Sequence, residues 1–212
     1  MRLYDYDQSP SCLKVRLALA ELELEFEQLT VNLEERQQCE DSFLKLNPFG
    51  TVPVFEDGSV SLRESNAILT YLGREYGHQY WPSEPTQESQ AIEWLFVESA
   101  QLSLPINMIW RSDVVSPIAG NNAPSPKAVE QCADQLEGIL NVLEHHLARQ
   151  PFVMGSEFTL VDCCYAVSLN LIRGTRLDKR TVWPNLTEYR ERACKRDSWR
   201  TAKGAAIHQV SR

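Results

Sequence analysis

The sequence predicts two domains: an α/β domain of order β-α-β-α-β-β-α over residues 1–77, and an all-helical domain over 88–212. Three observations carry this. In the first third, apolar residues switch repeatedly between a period of two and a period near 3.6. The stretch HQYWPSEPTQ at 78–87 holds two prolines and no periodicity, and reads as a linker. Beyond it, only helical spacing recurs.

Each element follows in order. Arg2–Tyr6 is a short strand with Tyr4 and Tyr6 on one side. A helix follows, with Ser11 as its expected cap and Val15, Leu19 and Leu22 on one face. Leu24-Glu25-Phe26-Glu27 returns to period two and opens a second strand, which runs to about Val31. Two strands around one helix imply a βαβ unit and parallel pairing. Residues 34–46 are polar and then helical. Val52–Phe55 and Val60–Leu62 are strands joined through Glu56-Asp57-Gly58-Ser59, a hairpin signal. A helix opens near Glu64-Ser65 and carries Ile68, Leu69, Leu72 and Tyr76. In the second domain, a helix with Ile92, Leu95, Phe96 and Leu102 runs to Pro105, which is expected to break or kink it. Ser112–Ser125 reads as a loop. Val129, Cys132, Leu136, Ile139, Leu140, Leu143 and Leu147 mark a long amphipathic helix. Thr159-Leu160-Val161-Asp162 fits a capping box ahead of an apolar run, a structural device worth about 1 kcal/mol.

Composition narrows the function. The net charge of −8 and the lack of a Lys/Arg run argue against nucleic acid and against an anionic membrane surface. No stretch approaches the roughly 18 apolar residues needed to cross a bilayer. The opening Met-Arg-Leu-Tyr-Asp-Tyr has no apolar signal core. The six cysteines form no Cys-x-x-Cys pair, and neither they nor the four histidines have metal spacing. The expectation is a cytoplasmic protein with reduced thiols and no metal.

Four motifs then occur in sequence: SPSCLKVRLAL from Ser9, FLKLNPFGTVPVFEDG from Phe43, RESNAILTYL from Arg63 and FTLVDCCYA from Phe158. In this order, with the two-domain pattern, the chain resembles the cytosolic glutathione transferases. The nearest classes are the serine-type theta, zeta and phi and their bacterial relatives. The resemblance covers nearly the whole chain. It implies a thioredoxin-like first domain that binds glutathione, a helical second domain, and a homodimer.

The resemblance also assigns roles. A free thiol titrates near 8.5, so little thiolate exists at pH 7. Ser9 stands where a thioredoxin-like protein keeps its reactive cysteine, at the head of the first helix. A hydroxyl donor and the positive helix end both favour a thiolate, in this case that of glutathione; lowering its pKa by about two units takes roughly 2.7 kcal/mol. Ser11 is a lesser candidate contact, and Cys12, at the resolving position, reads first as a buried structural thiol. Pro53 is cis in the family, turning the Val52 N–H and C=O toward the cysteinyl backbone of glutathione. The helix start at Ser65 receives the γ-glutamyl carboxylate, and Glu64 the ammonium group. Gln38 matches a glycyl-binding position, although Cys39 and Glu40 stand where related classes place His or Lys. The second substrate is expected to be a small, largely apolar electrophile in a pocket between domains, walled by Ile106, Trp110 and Arg111. The implied activity is conjugation, or a related isomerisation of the zeta type or a reduction. The alternative is a regulatory module of the same fold, like the stringent starvation protein. A glutaredoxin-like reductase would need a cysteine at position 9.

Overall fold

A computed structural model of the protein describes residues 1–119, 124–180 and 183–204. The chain divides into two compact units: Met1–Trp81 joined by the described residues from Arg196 onward, and Pro82–Lys195.

The first unit is built on four strands: β1 (Arg2–Asp5), β2 (Glu27–Thr30), β3 (Val54–Asp57) and β4 (Val60–Leu62), in the spatial order β2-β1-β3-β4. β1 and β2 are parallel, with Leu3 opposite Gln28, as the βαβ reading requires. β3 runs antiparallel to β1, Leu3 facing Phe55, and pairs antiparallel with β4 through a two-residue turn at Gly58-Ser59. Gly58 takes φ +55°, which a side chain disfavours. β2 is shorter than the alternation from Leu24 suggests. Glu23 turns the chain with a positive φ of 52°, so pairing starts only at Glu27.

Helices α1 (Pro10–Glu21), α2 (Asp41–Leu46) and α3 (Ser65–Tyr76) complete the β-α-β-α-β-β-α order. The core of this unit is Leu3, Val15, Leu17, Leu19, Val54, Phe55, Ile68, Leu69 and Leu72, all fully or almost fully buried. Residue 81 is not part of a free linker. Trp81 is buried against Gly73 of α3, where an added Cβ would lie 2.5 Å from the indole. Only a glycine admits that approach.

The second unit comprises α4 (Pro85–Val97), α5 (Leu104–Trp110), α6 (Ser116–Ala119), α7 (Pro126–Leu147), α8 (Leu160–Asn170), α9 (Arg176–Arg180) and α10 (Pro184–Cys194). The structure corrects two expectations in this unit. Pro105 does not break the helix: π-helical turns at Glu98–Ser103 join α4 to α5 and others at Arg111–Val115 join α5 to α6, with helical backbone angles at each junction. Pro105 lies in the first turn of α5, where the hydrogen-bond register changes, so its missing N–H falls where the ladder is already re-set. Ser112–Ser125 is likewise not a loop throughout. It stays helical to Ala119, and residues 120–123 lie outside the described residues. Burying Ala91, Leu95, Leu102, Ile106 and Ile109 rewards the continued helix more than local propensity opposes it.

The long α7 stands where its stripe places it, with Val129, Leu136, Leu140, Leu143 and Leu147 buried. At the head of α8 the capping pattern is present, and Asp162 does more than cap: its carboxylate accepts from the Thr159 N–H and hydroxyl, the Val153 N–H and the Tyr189 hydroxyl, all at 2.9–3.0 Å.

One further helix, α11 (Asp197–Gly204), packs on α1 in the first unit rather than extending the helical domain. Glu21, buried at the end of α1, accepts from Arg196 at 2.5 and 2.7 Å and from the Ser198 hydroxyl, while Trp199 and Ala202 are buried. Among the described residues, no helix is long and apolar enough to cross a membrane.

Candidate active site

Sheet topology gathers three segments at one end of the strands. Ser9 follows the C-terminal end of β1. Val52-Pro53 precedes the start of β3, antiparallel to β1. Glu64-Ser65 follows the end of β4, antiparallel to β3. All three belong to the first unit.

Ser9, not Ser11, is the N-cap of α1. Its backbone is extended (φ −78°, ψ 118°), Pro10 takes the first helical position, and the Ser9 Oγ accepts from the Cys12 N–H at 3.3 Å. Proline suits that position because its fixed φ is helical and it has no N–H to satisfy, which moves the cap one residue ahead of it. The consequence is chemical. The hydroxyl oxygen is occupied as an acceptor, and its proton remains to be donated at the positive end of a helix. Cys12 lies fully buried beneath, and burial, then the Asp5 carboxylate, push its thiol up to about 12, despite help from Ser9 and the Tyr6 backbone. Cys12 is therefore inert as a resolving thiol. In the native protein at pH 8, iodoacetamide is expected to label the exposed Cys39 and leave Cys12 unmodified, as read by peptide mass spectrometry.

The floor of this turn is not visible in the sequence. Asp5 is fully buried and accepts from Arg16 at 2.7 Å and Gln28 at 2.5 Å, and Arg16 also donates to the Asp7 carbonyl. An Arg seven residues into a helix gives no hint that it reaches back to the preceding strand.

The Val52–Pro53 bond is cis. Val52 lies just before the point where the β1–β3 ladder ends, at the Tyr4–Val54 pair. The loop leading to it is pinned by Asn47, which is fully buried. Its Nδ2 donates to the Thr51 carbonyl at 2.7 Å, and its Oδ1 accepts from the Phe49 N–H at 3.1 Å. Asn before Pro in NPFG is a turn signal that could have marked this role. Gln38 sits in the short turn Gln37–Cys39, its carbonyl 3.2 Å from where a Cβ on Gly50 (φ +60°) would stand. Its Oε1 is buried and has no partner among the described residues. An acceptor of that kind calls for an N–H donor; a carboxylate would be met by its amide nitrogen instead.

Glu64 occupies the N-cap position of α3 and is exposed, with Ser65 the first helical residue and buried. Glu64 makes no side-chain bond to the helix start. The first N–H groups of a helix have no partner within it, so this end of α3 offers donors and a positive dipole to an anion. Arg63, just ahead, donates twice to the Leu46 carbonyl, at 3.0 and 2.8 Å, tying α3 to α2. In the second unit, Ile106 is 1% exposed and presents no surface to a ligand, whereas Trp110 is half-buried and Arg111 exposed.

Two family models match: the glutathione S-transferase N-terminal domain over residues 1–74 and the glutathione S-transferase C-terminal domain over 126–192. A glutathione S-transferase of Hyoscyamus muticus is 32% identical over 180 residues, 84% of each chain. Glutathione S-transferase 3 of Zea mays is 37% identical over 169 residues, covering 79% of this chain and 76% of that one. The crystal structure of glutathione transferase F2 from Populus trichocarpa superposes with a TM-score of 0.88 over 98% of this chain and 99% of that one. At 22% identity, it speaks for the fold.

Proposed function

The chain belongs to the glutathione S-transferase family, and we propose that within it Ser9 holds the sulfur of bound glutathione as a thiolate that attacks a small, largely apolar electrophile. One observation carries the assignment of Ser9. Its Oγ already accepts from the Cys12 N–H, so its one proton is available to an anion placed at the head of α1. A thiol there exchanges its proton for that hydrogen bond and for the helix dipole, both of which favour the ionised form.

The remaining contacts follow from chemistry. The open start of α3, with Ser65, suits the γ-glutamyl carboxylate, and Glu64 the neighbouring ammonium. Val52 suits strand-like pairing with the cysteinyl backbone. Gln38 suits the glycyl carboxylate through its amide nitrogen, leaving the unpartnered Oε1 to an N–H donor, and Ser11 is the lesser contact. For the electrophile, we place Trp110 and Arg111 ahead of the buried Ile106.

Retention on immobilised glutathione, followed by appearance of thiolate ultraviolet absorbance on titrating glutathione into the protein at pH 7, tests this reading. Flow-through with no thiolate signal would favour a regulatory module without chemistry, which the transferase relatives do not favour. An active enzyme on an isomerisable but not a conjugable electrophile would favour the isomerase.

Self-association as a homodimer is part of the proposal. The exposed Phe49, 77% accessible on the NPFG turn, supports it. Elution at twice the chain mass is expected, and Phe49→Glu is expected to weaken the dimer by about 2 kcal/mol or more, which sedimentation velocity would read as a shift toward monomer. The cytoplasm is the proposed location, since all six cysteines are thiols.

A further inference from the structure

The helical unit holds a partly enclosed cavity of about 120 Å³. Leu169 and Ile172 from α8 and the turn after it, with Trp183 and Leu186 at the start of α10, form an apolar wall; Asp178, Thr187 and Arg190 form the polar end. None of these residues belongs to the thiol site. Arg190 is only 8% exposed, yet its guanidinium is poorly met. Nη1 and Nη2 both reach the same Asp178 oxygen at 3.4 Å, Nη2 reaches the Thr187 hydroxyl at 3.3 Å, and Nε has no partner among the described residues. Charge-assisted bonds to a carboxylate ordinarily close to about 2.7–2.9 Å. Asp178 is also shared, its other oxygen accepting from the Gly174 N–H at 3.3 Å. A buried cation with long, incomplete contacts gains from any acceptor that can reach it.

We infer that this cavity binds a small organic anion: a carboxylate on a compact apolar body, its oxygens on Arg190 and Thr187 and its body against Leu169, Ile172, Trp183 and Leu186. The volume, about four waters at roughly 30 Å³ each, suits one ring carrying one acid group. A fully hydrophilic ion such as phosphate would leave the apolar wall wet.

The probes are benzoate and its neutral counterpart benzamide, titrated calorimetrically into the full chain. One saturable benzoate site per chain is expected, with benzamide about tenfold weaker or worse. Arg190→Met is expected to weaken benzoate by about tenfold while leaving glutathione-dependent turnover and circular dichroism unchanged. Thr187→Val, a smaller change, is expected to weaken it by about threefold and serves if Arg190→Met does not fold. Saturating S-hexylglutathione is expected to leave benzoate affinity unaltered. The inference is overturned by the absence of a saturable site, by equal affinity for benzamide, by an unchanged affinity in the folded Arg190 or Thr187 variant, or by displacement with S-hexylglutathione.

Discussion

Ser9→Ala is expected to lower kcat/KM with glutathione and a standard aryl halide at pH 7 by about 10- to 100-fold, with the KM for glutathione changed by less than about threefold. The magnitude follows from removing one hydrogen bond to a charged group, about 1.5–3 kcal/mol. The sign of the pH dependence follows too. Without the hydroxyl, the bound thiol titrates nearer its free value of about 8.5, so the deficit is largest at neutral pH and shrinks as pH rises above that value. The helix dipole is retained, which leaves a residual rate. Because Ser9 also caps α1, alanine should cost about 1 kcal/mol of stability, or a Tm drop of about 2–4 °C, as a separate effect. Ser9→Gly separates the two: glycine is nearly as good a cap, so the activity should fall equally with almost no change in Tm. Undiminished turnover in either variant would refute the assignment.

Asp162→Ala is expected to be the most destabilising single change, by about 3–5 kcal/mol, seen as a Tm fall of about 6–20 °C in a thermal melt. Asp162 is fully buried, and burial pushes its carboxyl above the usual range against the pull of its donors. Deleting the side chain leaves the Val153 and Thr159 N–H groups without their acceptor in a dry site, and the Tyr189 hydroxyl with only the longer bond to the Asp162 carbonyl at 3.3 Å. Asparagine restores one acceptor oxygen and should recover part of the loss. If alanine cost only the 1 kcal/mol or so of an ordinary cap, Asp162 would be a helix cap and nothing more.

The first domain is legible because its information is local: the βαβ unit, the Gly58 turn and the start of α3 each follow from a few adjacent residues. The site inherits that clarity, since Ser9, Val52-Pro53 and Glu64-Ser65 sit at the ends of those elements. What stays hidden depends on contacts distant in sequence. Pro105 reads as a break because nothing in the local pattern announces the change of hydrogen-bond register at Glu98–Ser103 that accommodates it, or the packing that buries Leu102, Ile106 and Ile109 along the continued helix. Ser11 reads as the cap because serine suits that role, until Pro10 moves the helix start forward. The Asp5–Arg16 pair joins a strand to a helix interior, with no periodic signature at either end.

The clasp on Glu21 has a consequence for biosynthesis. The helix that presents Ser9 emerges early from the ribosome, yet the guanidinium that neutralises the carboxylate at its far end, and the hydroxyl that hydrogen-bonds to it, are translated some 175 residues later. Until then a carboxylate destined for burial must stay hydrated, so the nascent first domain cannot finish closing on its own. A ribosome-arrested chain ending before Arg196 should therefore be cut by protease within α1, and one extended past Gly204 and clear of the exit tunnel should resist.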